Sequence, residues 1–396
     1  MASIFKEIRY AARLARNSKL IVELNTQTKY LTKKDIRSWR NAWQAAINKE
    51  NPDRSRLYAV YTDALIDNHL SGAIGQRKDM TAQKAFRITG KDGKENPDLT
   101  KIFESGWFKD FIDYALDATY WGHSLIELGE TIQTDGRKTF SGCTLIPREH
   151  VIPEYGLLLV NQDDEFKRGY HYRDGELARW CIEVGKPDDL GLLLKVAPQT
   201  ISKRNALGFW DQFGEIFGAP IRIAKTASRD ENERGRIFKM ISQMGFSNSA
   251  VLPLGTEIEL KETNRTDSFN VFDKRVDRAN NEISKAILGQ TMTLEDGSSR
   301  SQGEVHLEVL KNIVAKDADR LKDVVNDKLI PLCVEHGVLP AGCSFEWVEN
   351  VDYTPEQQMS IERMLLEYFN VDKEYFEKKY NVKLAEKQKE SAGFFD

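Results

Sequence analysis

Three residues in the last third of the sequence have the types and spacing of zinc ligands. Two residues separate Cys333 from His336, and Cys343 follows further along the chain. Zn²⁺ prefers thiolate and imidazole ligands, but a structural site needs four, and no fourth ligand stands at a suitable spacing. Cys333 also follows an apolar helical stretch, where a buried free thiol is common. The sequence therefore favours a packing role, with a zinc site as the alternative.

The second candidate for chemistry is a pair in a later helical segment. His306 and Glu308 match the H-x-E fragment of zinc deaminases, but the P-C-x-x-C segment that those enzymes require is absent. The sequence also lacks the phosphate-loop, dinucleotide-binding and nucleophile-elbow motifs. We therefore expect no catalytic, cofactor-binding or metal-ligating residue, and a protein that is not an enzyme. The rival hypothesis is a metal-dependent nucleic-acid-processing enzyme that uses these two residues with Cys333.

Composition and charge indicate a globular protein with an uneven charge distribution. The chain has 396 residues, of which 40% are apolar and 30% charged, as is typical of two or three folded domains. Residues 1–56 contain 13 Lys and Arg against 5 Asp and Glu, whereas the remainder has 44 basic and 56 acidic residues. A basic arm on an acidic body favours contact with an anionic partner or a neighbouring subunit. A peripheral module that binds a membrane or nucleic acid through this arm is the second rival hypothesis.

Other features of the composition concern the membrane and the redox environment. Residues 4–19 form a basic amphipathic stretch, which favours a helix packed on protein over a targeting or membrane-surface helix. The four scattered cysteines are typical of a reduced, cytosolic setting. The apolar runs are shorter than the roughly 18 residues of a membrane-spanning helix.

Hydrophobic spacing predicts how the chain is divided into elements. Helices are expected over about 55–70, from Trp107 to a left-handed cap at Gly122, and over 230–244. Residues 123–200 predict antiparallel strands, with tight turns at Asp135-Gly136 and Asp174-Gly175.

The aromatic and longest helical patterns lie in the second half of the chain. A short helix capped by Asn205 is predicted to carry an aromatic stripe, and the strands after it are predicted near Ile221 and over 250–260. A helix ending at Gly289 is followed by a polar stretch, and a helix capped by Ser301 is predicted to run to Pro331. Thr354-Pro355 predicts the start of a last helical region.

Four blocks of sequence resemble the portal proteins of Mu-like bacteriophages. Residues 208–225 resemble the family's Trp- and Phe-rich helix that leads into a Gly-x-Pro-x-Arg-Ile sequence. Residues 251–259, 283–291 and 303–308 are similar to its later strand, its most distinctive block and the segment after its polar loop. The order and spacing of the four blocks make the resemblance specific over 200–345. It is looser over 55–200, and the resembling blocks include neither the arm nor the residues beyond 350.

The resemblance implies an α+β portal-type fold with a mixed wing, a two-helix stem, a small clip and a helical crown. The implied division is 1–56 as the arm, 57–202 as the wing, 203–249 as stem and reduced clip, 250–350 as the returning wing with the tunnel loop, and 351–396 as the crown. The stem helices would be about 203–217 and 230–244, with the clip at 218–229.

The resemblance also implies function and partners. It implies a ring, usually of twelve identical subunits, at one capsid vertex of the virion, assembled in the host cytoplasm and without a membrane. Double-stranded DNA would pass through the channel, and terminase, capsid or scaffold and head-completion or tail proteins would dock on the ring. The implied DNA-facing tunnel-loop residues are Gln290, Thr291, Thr293, Ser298, Ser299, Arg300 and Ser301. The implied stem and clip assembly residues are Phe209, Trp210, Phe213, Phe217, Pro220 and Arg222.

Charge agrees with a passage for DNA. An acidic body repels phosphates, so a channel through it would not hold the duplex tightly. A ring of Arg300 side chains would supply the few contacts with DNA, and these should weaken as salt rises. For the basic arm, contact with a neighbouring protein is favoured over direct binding of DNA.

Overall fold

The computed structural model describes residues 35–134, 136–162, 164–217, 221–226, 230–243, 256–261, 266–291, 300–348 and 355–383. The chain divides into a larger unit that ends at Trp347 and a smaller unit that begins at Val348. The amphipathic stretch predicted over 4–19 lies outside the described residues.

The first half of the larger unit combines helices with short strands. Its helices are α1 Ile36–Ala46, α2 Ser55–Ala64, α3 Asn68–Ala82, α4 Pro97–Phe103, α5 Gly106–Trp121 and α6 Gly175–Ala178. Its strands are β1 Phe86–Thr89, β2 His123–Leu128, β3 Thr131–Thr134, β4 Arg137–Phe140, β5 Cys143–Leu145, β6 Val151–Ile152, β7 Leu157–Leu158, β8 Tyr170–His171 and β9 Cys181–Gly185.

Long helices dominate the second half. They are α7 Leu193–Phe217, α8 Glu231–Gln243, α9 Thr266–Leu288, α10 Arg300–Val324 and α11 Ile330–Glu335, with a π-helical segment Val325–Leu329 between the last two. The strands are β10 Ile221–Thr226, β11 Thr256–Lys261 and β12 Ser344–Trp347. The smaller unit contains α12 Pro355–Tyr368 and α13 Lys373–Tyr380.

The strands form small antiparallel sheets rather than one large sheet. In the described residues the strand orders are β1-β12, β5-β2-β9, β3-β4, β6-β7-β8 and β10-β11. The turn at Gly136, whose φ is 74°, joins β3 to β4, as the sequence predicts. Antiparallel strands beside separate helices make the fold α+β, which confirms the predicted class.

Two apolar clusters hold the larger unit together. The first surrounds α5, where Phe108 and Phe111 pack with Phe345 of β12 and with the end of α10. The second joins α2, α3, α7, α9 and α10 through small and branched side chains such as Leu70 and Ile287. Gly122 ends α5 with a φ of 88°, and its N–H donates to the Ala118 carbonyl at 2.8 Å, as predicted. The α-helical periodicity in the sequence thus identified the cores correctly.

The predicted helix over 55–70 is two helices. The Asp67 carboxylate accepts from the Leu70 N–H at 3.0 Å and therefore caps a new helix, α3. The predicted hairpin at Asp174-Gly175 is also wrong. The chain there turns into α6 because Leu177 is buried with Leu125, while β8 pairs with β7.

The predicted strand region ends earlier than residue 200, and α7 begins well before Asn205. Leu193, Val196 and Ala197 are buried at helical spacing, so the helix starts there. Pro198 lies inside this helix and has no N–H to donate to the Leu194 carbonyl. The Trp39 indole of α1 donates to that carbonyl at 3.2 Å, which lets the helix continue through the proline.

The helix that was predicted to end at Pro331 continues to Glu335. The π-helical segment shifts the hydrogen bonding before the proline, which then stands in the first turn of α11, where a missing N–H costs little. Ser301, the predicted cap, lies in the first turn of α10, whose described residues begin at Arg300.

Candidate functional site

The antiparallel helices α7 and α9 form a pair with a buried half and an exposed half. We call residues 193–206 and 275–288 the inner half, and residues 207–217 and 266–274 the outer half. In the inner half, Ile201, Ile283 and Ile287 are buried in the second apolar cluster. The Arg275 guanidinium donates to the Ser202 hydroxyl at 2.5 and 3.1 Å and connects the two helices.

Ion pairs fix the inner half to the rest of the unit. Arg204 of α7 donates to both carboxylate oxygens of Asp63 of α2, at 2.8 and 2.6 Å. The Lys203 ammonium lies 2.8 Å from the Asp67 carboxylate that caps α3. The Asp63 side chain is buried, so its pairing with Arg204 removes the cost of an isolated buried charge. Apolar burial and charge pairing therefore both anchor the inner half.

The outer half differs in burial. Phe209 is 61% exposed and Val271 is 65% exposed. Phe213 is half-buried, and its ring lies 6.1 Å from the Phe272 ring of α9, so these two aromatics hold the helices together further out. Large exposed apolar side chains on a helix pair are typical of a surface that binds protein.

The strand pair continues the helix pair. β10 follows α7 and β11 precedes α9, and the strands pair antiparallel from Ile221 opposite Lys261 to Thr226 opposite Thr256. α8 lies between the two strands in the chain and packs against β10. The sequence placed the second stem helix at 230–244; the helix that packs along α7 is instead α9. The insertion between the two paired helices is thus 218–265, larger than the predicted clip at 218–229.

A buried ion pair fixes the end of α9, where the polar stretch begins. Arg77 of α3 donates to Asp317 of α10 through Nε at 2.6 Å and Nη2 at 3.0 Å, and through Nη1 to the Ile287 carbonyl at 2.7 Å. Both side chains are buried. Burial alone would lower the pKa of Arg77, but the hydrogen bonds to Asp317 raise it above its ordinary value, so Arg77 stays charged. One side chain therefore connects α3, α9 and α10.

Gly289 completes this anchor. Its φ is 73°, a conformation that favours glycine, and an added Cβ would lie 2.6 Å from the Ile313 Cδ1 of α10. The predicted end of the helix at Gly289 is confirmed. The backbone at Gly289, where the polar stretch begins, therefore lies directly against α10.

The predicted tunnel-loop residues are only partly described. Gln290 is 5% exposed, so its side chain lies inside the unit in the single chain. That it faces DNA stays a prediction. Thr291 is half-buried, and Arg300 and Ser301 form the first turn of α10. Thr293, Ser298 and Ser299 lie outside the described residues.

The predicted assembly residues fall on α7 and the strand after it. Phe209, Trp210 and Phe213 lie on the outer half, where Trp210 is half-buried. Phe217 is the last residue of α7, Arg222 lies in β10, and Pro220 is outside the described residues. The structure brings these aromatic residues onto one helix.

The zinc-like residues have structural surroundings. Cys333 is buried, and burial raises the pKa of its thiol well above the usual range. The His336 Nε2 donates to the Arg179 carbonyl at 2.7 Å, and its ring packs 4.0 Å from the Trp180 ring. No group of three or more His, Cys, Asp or Glu residues that could hold a metal ion occurs in the part of the chain that the structure describes. His306 lies in α10, where Glu308 is exposed.

A buried polar cluster near β2 and β9 was not anticipated. Glu183 accepts from Tyr172 at 2.7 Å and from Arg173 at 2.7 and 2.9 Å, and the His123 Nε2 lies 3.1 Å from its carboxylate. Burial acts to raise the pKa of Glu183, but these hydrogen bonds hold it far below its usual range. Burial lowers the pKa of His123. His123 is 60 residues from Glu183 in the sequence, so only the pairing of β2 with β9 brings these two side chains together.

Within the described residues, no helix is long and apolar enough to span a bilayer.

The role of Arg77 and the helix α1 were also not predicted from the sequence. The spacing of Arg77 to Asp317 carries no local signal, and Trp39 gains its role only from the position of Pro198.

Comparison with known proteins gives one family. The family model described as the portal protein of Mu bacteriophage matches residues 58–382. The match extends beyond the 200–345 region of firm resemblance and includes most of the C-terminal helical region. Among curated proteins, the portal protein of Escherichia phage Mu is 25% identical over 286 residues, which are 67% of this chain and 54% of that protein. This chain therefore spans about half the length of that curated relative.

Solved structures share the fold. A chain in the neck of an empty gene transfer agent particle with C6 symmetry has a TM-score of 0.52 at 10% identity, covering 80% of this chain and 91% of that one. A chain in the virion of a native gene transfer agent particle has a TM-score of 0.51 at 9% identity, covering 89% of this chain and 100% of that one. Because the family model covers most of the sequence and the α+β fold recurs in these particles, this chain belongs to the family of Mu bacteriophage portal proteins.

Proposed function

We propose that this chain is one subunit of a ring at a capsid vertex of a phage-like virion, through whose channel double-stranded DNA enters and leaves. The observation that carries the proposal is the match to the portal family over residues 58–382. The family is structural rather than enzymatic, and we infer that the chain catalyses no reaction itself. Terminase, capsid or scaffold protein and head-completion or tail proteins would dock on the assembled ring.

The packing of the helices suggests which segments perform which role. α7 and α9 are proposed as the stem, because they form an antiparallel pair whose outer half is exposed. The segment 218–265, with β10, α8 and β11, would be the clip. The helices and small sheets of 57–192 and 300–348 would form the wing, and α12 and α13 the crown.

The segment between Gly289 and α10 is proposed as the tunnel loop that faces DNA. The Arg77 anchor supports this assignment, because it holds the last turn of α9 against α10 while the polar residues lie beyond it. Gln290, Thr291, Thr293, Ser298, Ser299, Arg300 and Ser301 remain the proposed DNA-facing residues, of which Gln290 is buried in the single chain. The acidic excess over residues 57–396 favours passage of DNA over its retention.

The exposed outer half is the proposed surface for contact between subunits in the stem. Phe209 and Val271 together present apolar area that a monomer leaves in water. Trp210, Phe213 and Phe217 follow on the same helix, and Pro220 and Arg222 lie where it leads into the clip.

Negative-stain microscopy of the purified full chain tests this proposal. We expect closed rings with a central opening, and sedimentation at the mass of a multimer. A chain that stays monomeric at high concentration would contradict the portal function. Bound zinc in the purified protein would instead favour the rival hypothesis of a metal-dependent nucleic-acid-processing enzyme.

A further inference from the structure

The smaller unit has little apolar core of its own. Among residues 356–377 and 379–383, whose side chains the structure describes, Glu362 is the one that is buried. Its carboxylate accepts from the Lys379 ammonium at 2.5 Å and from the Tyr380 hydroxyl at 2.6 Å, which join α12 to α13. Met359, Met364, Leu366 and Tyr368 of α12 are all at least half exposed. The contacts of Glu362 with Lys379 and Tyr380 therefore join the two helices, while these four side chains of α12 stay exposed.

These exposed side chains lie on two opposite flanks of α12. Met359 and Leu366 are seven residues apart, or about two turns, and form flank one. Met364 and Tyr368 are four residues apart and form flank two, about 170° around the helix from flank one.

The other two sides of α12 are polar or covered. Gln358, Glu362 and Leu365 are buried or half-buried and face α13, since Glu362 binds its side chains. Arg363 and Glu367 are exposed on the remaining side. Around α12, the side that faces α13 and the polar side are therefore separated by flank one in one direction and by flank two in the other.

Two different apolar flanks suit a ring rather than a two-fold dimer. In a two-fold contact the same patch meets itself, whereas in a ring each subunit presents one patch to one neighbour and a different patch to the other. Each flank exposes roughly 200–300 Å², because side chains of this size present about 150–250 Å² when fully exposed. That is well below the roughly 800 Å² per partner of a stable isolated interface. A flank of this area can stabilise an assembly only when the same contact is repeated between many subunits.

Charge allows copies of this hairpin to lie side by side. Residues 355–383 contain six acidic and five basic side chains, so neighbouring copies repel each other little. The flanks themselves consist of apolar side chains and Tyr368.

We infer that flank one of each subunit packs against flank two of the next copy of this chain, so that α12 closes a ring of hairpins. This inference rests on the proposed portal function, and it adds the partner, the two surfaces and the head-to-tail mode of contact. Helices packed side by side lie about 8–10 Å apart, which places Leu366 of one copy near Met364 of its neighbour.

The experiment uses two full-length variants, Leu366→Cys on flank one and Met364→Cys on flank two, co-assembled with different tags and treated with a short bis-maleimide. A cross-linked heterodimer is expected in the mixture, and no dimer from either variant alone. Leu366→Cys mixed with Glu367→Cys, which lies on the polar side, is the matched control and should give none. Unsubstituted chain, which retains its four cysteines, sets the background.

Three results would overturn the inference. A dimer from Leu366→Cys alone would indicate a two-fold contact. Intact rings in the microscope without the mixed heterodimer would show that something else covers the flanks, while the portal function would stand. An absence of rings in the unsubstituted chain would contradict the portal function itself, and circular dichroism of each variant would distinguish that result from misfolding.

Discussion

The inner and outer halves of the α7 and α9 pair are continuous helices with different surroundings. The inner half buries Ile283 and Ile287, and ion pairs such as Arg204 to Asp63 fix it to neighbouring helices. The outer half leaves Phe209 and Val271 in water. One pair of helices can thus combine two different surroundings. Burial within the subunit stabilises the inner half, and the outer half is the proposed surface for contact between subunits.

The difference follows from what each half can contact inside one chain. The inner half lies among α2, α3 and α10, so it contributes to the free energy of folding of the subunit. The outer half has the β10 and β11 pair beyond it and little else of the described chain around it. In the proposed ring, another subunit would bury Phe209 and Val271, which are exposed in the single chain.

Removal of Arg77 should have the largest effect on the inner half. Arg77→Met leaves the Asp317 carboxylate buried without its cation and the Ile287 carbonyl without a donor. We expect the free energy of unfolding to fall by about 3–5 kcal/mol, measured by urea denaturation. The double variant Arg77→Met with Asp317→Leu removes both charges and should recover much of that loss. A loss below about 1 kcal/mol in the single variant would contradict the anchoring role.

A matched pair of truncations compares the two halves directly. Ile283→Ala should lower the free energy of unfolding by about 2–5 kcal/mol, because it leaves a cavity in the core. Phe209→Ala should change it by less than about 0.5 kcal/mol, since that side chain is exposed, yet weaken ring assembly in sedimentation. Equal losses of subunit stability in the two variants would refute the division into halves.

Two glycines should respond with opposite sign. Gly289→Ala forces a positive φ on a residue with a Cβ and crowds Ile313, so we expect a loss of about 1–3 kcal/mol in urea denaturation. Gly235→Ala, in α8 with open space around it, should stabilise the helix by about 0.5–1 kcal/mol. If Gly289→Ala left the free energy of unfolding unchanged, the backbone at Gly289 would not be held against α10.

The smallest effect should be a dependence on pH that arises in the body of the unit. The folded protein holds the pKa of Glu183 below its usual value. The ionised carboxylate therefore stabilises the fold above the unfolded-state pKa of about 4.3, and this stabilisation is lost as pH falls from there toward the lower pKa of the folded state. The pKa of His123 is also lowered, so the unfolded state binds a proton first as pH falls below about 6.5, which acts in the same direction.

The Glu183→Gln variant isolates the carboxylate. Its free energy of unfolding should fall less steeply between about pH 5 and 3 than that of the unsubstituted chain, in urea denaturation at a series of pH values. Identical slopes would exclude Glu183 as a source of the acid sensitivity.

The sequence predicted most elements whose signal is local. The helices that end at Gly122 and Gly289, the hairpin at Gly136 and the α+β class are all confirmed, because apolar spacing and glycine caps act over a few residues. Its errors lie where a distant contact overrides the local signal. The strand region was predicted to extend to residue 200, whereas α7 begins at Leu193 and continues through Pro198, where Trp39 donates to the Leu194 carbonyl. Pro331 was predicted as a helix end, and the π-helical segment places it in a first turn.

The features of the candidate site also divide into those with a local sequence signal and those that depend on distant contacts. The sequence identified the aromatic helix and the polar stretch after Gly289, because both are continuous in the chain. It could not show that Gln290 is buried, or that α9 rather than α8 pairs with α7.

The sequence alone thus determined the family, the class of fold and the periodic cores, since these depend on residue type and spacing along the chain. Only the tertiary structure decided which helices pair, that Arg77 connects Asp317 with the end of α9, and that α12 exposes two apolar flanks. The physical reason is that pairing, burial and exposure depend on contacts between residues far apart in sequence. No local pattern records those contacts.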